Sequence, residues 1–352
     1  MADTAKPAAL LEPDELKPAA DLAGRLLEQL DALLFGRPEL HRLVTIGILS
    51  RGHVLLEGVP GVGKTALVKA LSQLLSLDFK RVQFTPDLMP GDILGSHILQ
   101  EVPGGGREMV FRSGPIFTHL LLADEINRAS PKTQSALLEA MQERSVTLLG
   151  ATRPLPDPFF VLATQNPIEL EGTYPLPEAQ LDRFLFKLVV EPADADALDR
   201  IISTRRRGEP PQPTWSMSAA QLGEAFRAMD RIFLPRPVAR FIARLVAATH
   251  ATAVEAPPLV KAYVAFGASP RAAIAIAEAA RAAALLAGRP TVGFADVRAV
   301  APPVLNHRLI LNYKARLDAV GAFAIVRELL DKTDEAGVNL PRDLTVAEVN
   351  RA

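Results

Sequence analysis

The sequence predicts an α/β fold in which helices cover a parallel five-stranded sheet, followed by an all-α domain. Short apolar runs alternate with amphipathic helical patterns, as expected for a sheet buried on both faces. A glycine-rich loop joins one apolar run to a helix. Only helical patterns follow a Pro- and Arg-rich segment at 205–213. The chain of 352 residues has room for two or three domains.

The elements of the first domain can be placed in order. Helical patterns at about 19–34 and 39–50 precede an apolar strand at 53–57. A strong amphipathic helix is predicted over 131–144. Further strands are indicated by the runs at 81–84, 120–123, 159–163 and 184–190. Two hairpins are expected near 98–111 and 145–156, each around a glycine-containing turn.

Composition suggests where the domains divide. Residues 1–18 are Ala- and Pro-rich without periodicity and predict a loose leader. The α/β core is expected over 19–204, a linker over 205–216 and the helical domain over 217–352. Three arginines at 205–207 could hold a phosphate, but we favour a solvated start of the linker.

Charge and cysteine content narrow the function. The formal charge is -1, so no overall field favours nucleic acid or anionic membrane as a partner. The chain has no cysteine, which excludes disulfides, thiolate metal sites and cysteine nucleophiles. The N-terminus lacks the apolar core of a signal peptide, and the Ala/Leu-rich stretch at 272–287 is too short and too charged to span a membrane. We therefore expect a cytoplasmic protein without membrane insertion.

Residues 58–65 match the phosphate-binding pattern G-x-x-x-x-G-K-T, between an apolar strand and a helix. Glycine amides can surround phosphates there, while Lys64 bridges the β- and γ-phosphates and Thr65 offers its hydroxyl to Mg²⁺. A glycine-rich turn that binds nothing is the alternative, and the Lys-Thr pair argues against it. We expect a nucleoside triphosphate to be bound by Gly58, Pro60, Gly61, Val62, Gly63, Lys64, Thr65 and Ala66.

Two adjacent carboxylates end the apolar run at 120–123. Neighbouring strand residues point to opposite sides, so Asp124 and Glu125 are expected to have different roles. Asp124 would hold Mg²⁺, directly or through water, and Glu125 would orient the attacking water and accept its proton. The alternative is that both acids cap the following helix.

Three further polar residues fit hydrolysis by position. Asn166 follows the strand at 159–163 and could contact both the γ-phosphate and the water, or simply form a turn before Pro167. Arg183 lies between a helix and the last strand, and Arg271 opens a helix of the second domain. Position alone favours surface salt bridges for both arginines.

Four longer segments resemble the MoxR family of AAA+ ATPases, of the clade with an insert in helix 2. They are Asp-Glu-Ile-Asn-Arg-Ala at 124–129, the helix at 134–143, Ala-Thr-Gln-Asn-Pro at 163–167 and the run at 172–184. The resemblance covers about 30–332, and it implies an αβα nucleotide domain and a helical lid. Many relatives carry Ala where this chain has Gly63, which is the general form of the loop.

The resemblance also implies roles for particular residues. ATP would bind with Mg²⁺, and Phe35 and Gly36 would form the adenine pocket wall. Asn166 would be sensor 1 and Arg271 sensor 2. Arg183 would be an arginine finger inserted into the neighbouring subunit of a ring, which the resemblance implies is a hexamer. The two hairpins would correspond to the helix-2 insert and the pre-sensor-1 hairpin, near the central pore.

Three functions stay open at this point. The first is an ATP-driven, chaperone-like remodeller of partner proteins, with von Willebrand factor A-type domain proteins as partners implied by the family alone. The second is a DNA-dependent motor of the same clade, against which the balanced charge and scarce aromatics argue. The third is a binding switch or phosphotransferase without a ring, which would leave Glu125, Asn166 and Arg183 without a reason.

Overall fold

The computed structural model describes residues 11–102, 106–167, 172–205 and 210–335. The chain forms two compact units, one of Met1–Ile232 with Arg281–Pro290 and one of Phe233–Ala280 with Thr291–Ala352. Several parts of our sequence predictions lie outside the described residues. They are the first ten residues of the leader, residues 103–105 of the first hairpin, residues 168–171 of the α/β core, residues 206–209 of the linker with Arg206 and Arg207, and residues 336–352 of the helical domain.

The first unit contains the predicted alternation of strands and helices. Its helices are α1 (Pro13–Leu33), α2 (Pro38–Leu49), α3 (Lys64–Leu74), α4 (Pro90–Leu94), α5 (Pro131–Glu143), α6 (Glu178–Leu181), α7 (Ala195–Thr204) and α8 (Ala219–Asp230). Its strands are β1 (Val54–Glu57), β2 (Phe79–Gln83), β3 (Gly95–Val102), β4 (Gly106–Ser113), β5 (Leu120–Asp124), β6 (Ser145–Leu148), β7 (Ala151–Pro154), β8 (Phe160–Gln165) and β9 (Phe186–Val189).

Five of these strands form one parallel sheet in the order β2-β5-β8-β1-β9, which confirms the predicted fold class. The inner strand β5 is buried along its whole length, as its continuous apolar sequence requires. Pairing aligns Gln83 with Asp124, Ala123 with Ala163, and Glu57 with Gln165. The carboxyl ends of β2, β5, β8 and β1 therefore meet at one edge of the sheet.

Helix α5 covers one face of this sheet. The buried cluster between them includes Leu137, Leu138 and Met141 of the helix and Leu121 and Val161 of the strands. A buried histidine fixes the start of β1.

The imidazole of His53 accepts a hydrogen bond from the Val161 amide at Nδ1 (3.0 Å) and donates from Nε2 to the Met141 carbonyl (3.3 Å). Burial lowers the pKa of His53 to about 4, which keeps the ring neutral in this arrangement. The same side chain thus ties α5 and β8 to the beginning of β1.

Both predicted hairpins are present. Strands β3 and β4 pair antiparallel from Gly95↔Ser113 to Val102↔Gly106, and β6 pairs antiparallel with β7. The guanidinium of Arg153, in β7, lies 3.9 Å from the ring centroid of Phe111, in β4. The two hairpins of one chain are therefore in contact.

Two predicted boundaries differ from the structure. Helix α1 begins at Pro13, so residues 13–18 are helical instead of forming part of a loose leader. Its first turn has Pro at the start and two acidic residues, which favour a helix N-terminus, and Leu16 is buried.

The second difference concerns α8, which the sequence prediction includes in the helical domain beginning at 217. It belongs to the first compact unit. Phe226 of α8 lies 6.3 Å from the ring of Phe160, and Arg51 forms two hydrogen bonds to the Asp230 carboxylate. The Pro-rich linker precedes a helix that returns to the first unit, so composition placed the boundary too early.

The described residues of the second unit are mostly helical and include one short antiparallel ladder. Its elements are α9 (Arg236–Ala247), α10 (Pro258–Tyr263), β10 (Val264–Phe266), α11 (Pro270–Leu286, of which residues up to Ala280 belong here), α12 (Phe294–Leu305), β11 (Ile310–Leu311), α13 (Tyr313–Leu317) and α14 (Ala322–Lys332). Phe241 and Phe294 meet edge to face, with 5.5 Å between their centroids. The short helices α10 and α13 were not predicted.

Replacing the aromatic anchor of α8 tests its place in the first unit. We expect Phe226→Ala to lower the free energy of unfolding by about 3 kcal/mol, because a nearly buried ring would leave a cavity. The neighbouring exposed Arg227→Ala serves as the matched control and should change it by less than about 0.5 kcal/mol. Denaturant unfolding of the full chain measures both. Equal stability of the two variants would show that α8 is not part of this core.

Candidate active site

The phosphate-binding loop connects β1 to α3 in the conformation that its glycines permit. Gly63 caps α3 with φ at 86°, in the left-handed region, and Gly61 has φ at 82°. A Cβ on Gly58 would lie 2.6 Å from the carbonyl oxygen of Val190, so a side chain there would force the loop away from the sheet. The Lys64 side chain is buried, and its Nζ donates to the Gly58 carbonyl at 2.5 Å.

A cavity of about 500 Å³ adjoins this loop. This volume lies in the usual range for small-molecule sites. Its wall includes five of the predicted loop residues, Pro60, Gly61, Val62, Gly63 and Lys64, together with Ala66. The other lining residues come from the loop itself, from α3, from the α1–α2 segment, and from α7 with the residues before and after it, namely Leu34, Phe35, Arg37, Leu40, His41, Val59, Leu67, Val190, Pro192, Ala193, Leu198, Ile201, Arg205 and Pro210.

Phe35 and Gly36 have different roles beside this cavity. The Phe35 ring lines it, and the guanidiniums of Arg200 and Arg205 lie 4.1 and 4.3 Å from the ring centroid. Gly36 is not among the described lining residues. It has φ at 85°, and a Cβ there would come within 2.5 Å of the Ala197 side chain, so Gly36 allows the close approach of α7.

Basic side chains of the cavity wall are affected by burial. Desolvation lowers the pKa of the Arg37 guanidinium, while the charge of Asp194 opposes this effect. Arg37 donates from Nη1 to the Val62 carbonyl (2.6 Å), so it holds the loop directly. Burial also lowers the pKa of His41, against the nearby Asp31 carboxylate at 2.6 Å. The wall therefore places a cation on the phosphate-binding loop.

Asp124 ends β5 as a largely buried carboxylate whose two oxygens are both hydrogen-bonded. Oδ1 accepts from the Thr164 hydroxyl at 2.6 Å. Oδ2 accepts from Arg81, at 2.7 Å from Nη2 and 3.2 Å from Nε. A carboxylate removed from water in this way needs such donors or a cation, and this one has a cation at Oδ2.

Glu125 follows in a left-handed backbone conformation, with φ at 57°. Its amide donates to the same Thr164 hydroxyl at 2.8 Å. Its Oε2 accepts from Gln83 Nε2 (2.7 Å) and from Arg128 Nη1 (3.0 Å). The side-chain oxygens of the two adjacent carboxylates therefore have different hydrogen-bond partners.

Asn166 and Thr65 lie on the elements where they were expected. Asn166 follows β8, the strand between β5 and β1, and it is buried. Its backbone carbonyl accepts from Asn127 Nδ2 at 3.4 Å. Thr65 is in the first turn of α3, partly buried. The strand order thus brings Asn166 to the sheet edge between the phosphate-binding loop and Asp124.

The two predicted arginines lie on other elements of the chain. Arg183 precedes β9 and donates from Nη1 to the Leu138 carbonyl of α5 at 2.7 Å. Its buried Nε has no hydrogen-bond partner among the described residues. Arg271 is exposed in the first turn of α11, in the second compact unit.

Three residues that the sequence did not single out contact the site. Thr164 bonds both Asp124 and the Glu125 amide, Arg81 bonds Asp124, and Arg37 holds the loop. A signal existed for Thr164, because it is a hydroxyl residue inside an apolar strand. The role of Arg81 depends on β2 pairing with β5, which the sequence does not specify locally.

No group of three or more His, Cys, Asp and Glu side chains among the described residues is placed to hold a metal ion. No helix of the described part of the chain is long and apolar enough to cross a membrane.

Comparison with known families matches both parts of the chain. The family model described as "ATPase family associated with various cellular activities (AAA)" matches residues 53–186. The model described as "AAA lid domain" matches residues 258–329. The first match contains the phosphate-binding loop, Asp124, Glu125, Asn166 and Arg183, and the second contains Arg271.

Similar proteins match over most of the chain. Chaperone MoxR1 of Mycobacterium tuberculosis is 44% identical over 90% of this chain and 82% of its own. Protein YeaC of Bacillus subtilis, which is uncharacterised, is 44% identical over 88% of this chain and 93% of its own. Protein MoxR of Methylorubrum extorquens is 33% identical, covering 83% of this chain and 88% of its own.

A solved structure has the same architecture. It is the crystal structure of a protein from Cytophaga hutchinsonii described as a candidate ATPase, with a TM-score of 0.83 and 37% identity. It covers 91% of this chain and 97% of its own. The chain has a phosphate-binding loop after β1, two carboxylates at the end of β5, and relatives that match most of its length. It therefore belongs to the MoxR family of AAA+ ATPases.

Proposed function

We propose that this protein is a Mg²⁺-dependent ATPase that uses hydrolysis to remodel or mature partner proteins. One observation supports this most directly. The sheet order brings the phosphate-binding loop, Asn166, Asp124 and Glu125 to the carboxyl ends of neighbouring strands. Ligand sites of open parallel sheets lie at this edge. The cavity beside the loop has room for the nucleoside.

The residues fit a Mg²⁺ site of the kind found with nucleotides. Asp124 is largely buried, and its Oδ2 accepts hydrogen bonds from the guanidinium of Arg81. This oxygen is therefore placed to interact with a cation. Mg²⁺ is commonly bound by one or two protein oxygens together with phosphates and waters, so Asp124 and the Thr65 hydroxyl suffice. Bound there, Mg²⁺ would neutralise charge on the β- and γ-phosphates.

The chain's own residues then divide the remaining work. Lys64 and the loop amides hold the phosphates, with Arg37 fixing the loop from behind. Glu125 orients the attacking water and accepts its proton. Gln83 and Arg128 hold one oxygen of that carboxylate, which limits its rotation. Asn166 would act as sensor 1 and Arg271 as sensor 2.

We propose that the active site is completed by a second copy of the chain in a ring, with a hexamer as the expected state. Within one chain, Arg183 donates to a backbone carbonyl of α5. This partner is neutral, and no carboxylate among the described residues forms a salt bridge with Arg183, so its charge is available for phosphate. An arginine finger of this kind would act in the site of the neighbouring subunit.

The hairpins are the proposed contact with protein substrates. Apolar side chains are exposed on β3 and β4, at Ile98, Leu99 and Met109, and Leu149 at the turn between β6 and β7 is 82% exposed. Exposed apolar side chains grouped on protruding elements are typical of interaction sites. A partner with a von Willebrand factor A-type domain and a cytoplasmic location stay predictions from the sequence.

The phosphate-binding loop is tested by its lysine. Lys64→Ala should weaken ATP binding at least about 100-fold, because the charged hydrogen bonds to the phosphates are lost. Lys69→Ala, an exposed lysine of the same helix, is the matched control and should bind normally. Titration calorimetry measures both. Unchanged affinity in Lys64→Ala would contradict the assignment of the loop.

The base is tested by an isosteric change. Glu125→Gln should bind ATP like the wild type and lower kcat at least about 100-fold, because the amide cannot accept the proton of the water. Glu139→Gln, on the exposed side of α5, should keep full activity. Phosphate release and nucleotide affinity are measured on the same samples. Full turnover by Glu125→Gln would remove it as the base.

The shared site is tested by mixing inactive variants. Arg183→Ala should bind ATP but lose about 1000-fold in kcat. Activity should return when it is mixed with Lys64→Ala, because that subunit supplies Arg183 to an intact loop. The control mixture combines Lys64→Ala with Glu125→Gln. Every site in this mixture lacks either Lys64 or Glu125, whichever subunit supplies Arg183, so the mixture should stay inactive. No recovery in the first mixture would argue against a role in the neighbouring subunit.

A further inference from the structure

The arginine on Asp124 is not explained by the proposed reaction. Arg81 is on β2, the edge strand, and donates two hydrogen bonds to the single oxygen Oδ2 of Asp124. Thr164 already uses the other oxygen. The guanidinium of Arg81 therefore occupies Oδ2, the oxygen of Asp124 that Thr164 does not use.

The two partners of this ion pair differ in burial. The Asp124 side chain is 10% exposed, whereas the Arg81 side chain is 48% exposed. A buried carboxylate must stay neutralised, but a half-exposed guanidinium can move into water at little cost. The arginine can thus leave Oδ2 when another cation takes over the charge of Asp124.

We propose that Arg81 is the resident counter-ion of Asp124 and competes with Mg²⁺ for Oδ2. The inference depends on the proposed Mg²⁺ site at Asp124. Arg81 neutralises the carboxylate while the metal is away, and binding of the metal with nucleotide displaces the guanidinium toward solvent. The strength of this ion pair then sets how strongly nucleotide affinity depends on Mg²⁺.

Displacement of Arg81 would also reach Glu125. Arg81 Nη2 donates to Gln83 Oε1 at 3.0 Å, while Gln83 Nε2 donates to Glu125 Oε2 at 2.7 Å. Residues 81 and 83 share one face of β2 because side chains alternate along a strand. The two carboxylates are therefore joined by one row of hydrogen bonds, and Arg81 acts as a positioning residue for Gln83.

The test compares nucleotide affinity with and without metal. Full-length wild type, Arg81→Gln and Arg81→Lys are titrated with a fluorescent, non-hydrolysable ATP analogue, once in saturating Mg²⁺ and once in EDTA. Thermal melts confirm that each variant is folded. The measured quantity is the ratio of Kd in EDTA to Kd in Mg²⁺, which requires no turnover.

Arg81→Gln should raise this ratio about fivefold over the wild type, the upper range for a half-exposed ion pair. Affinity in EDTA falls because unneutralised Asp124 repels the triphosphate, and affinity in Mg²⁺ is kept or improved because no guanidinium must leave. Arg81→Lys, which keeps the charge but has no planar fork, should lie between the two. Lys80→Gln removes a charge from the adjacent position of β2 and should leave the ratio within about twofold.

Other results would overturn the inference. An unchanged or smaller ratio in Arg81→Gln would show that Arg81 does not compete with the metal. Loss of affinity mainly in Mg²⁺ would show that it supports the metal-bound state instead. If Arg81→Gln does not fold, the ratio of Arg81→Lys decides in the same way. A wild type that binds no nucleotide under either condition would contradict the proposed function, not the role of Arg81.

Discussion

The parallel register of the central strands is the constraint on which the site depends. Because β2, β5, β8 and β1 run in one direction, their polar ends meet at one edge even though they are far apart in sequence. The apolar interiors of β5 and β8 fix that register, since neither strand can slip without exposing buried side chains. Packing of the core therefore determines the positions of Asp124, Thr164 and Asn166.

Electrostatics then decides what this edge can hold. Asp124 is placed where a carboxylate is too buried to remain unpaired, and Thr164 and Arg81 satisfy it. The Thr164 hydroxyl also receives the Glu125 amide, so one side chain fixes the relation between the two acids. The same burial that removes Asp124 from water makes the carboxylate depend on the cation beside it.

Local patterns in the sequence were enough for much of this. The phosphate-binding loop, Asp124 and Glu125 follow apolar runs directly, so strand, loop and side chain could be predicted together. Arg81 and Arg37 could not, because their contacts depend on pairing between β2 and β5 and on the approach of α2 to the loop. The assignment of α8 to the helical domain was wrong for a similar reason, because its packing against Phe160 in the first unit is a tertiary contact. The proposed role of Arg183 in a neighbouring subunit depends on a second chain.

The backbone at Glu125 has a consequence for how this position can change. A left-handed φ of 57° costs a glutamate about 1 kcal/mol, whereas glycine or asparagine would adopt it more readily. The hydrogen bond from its amide to Thr164 offsets part of that cost. Under the proposed role of Glu125 as the base, selection for stability and selection for turnover therefore act in opposite directions on one residue. Screens for thermostable variants of this protein would then be drawn toward substitutions here that keep the fold and lose turnover.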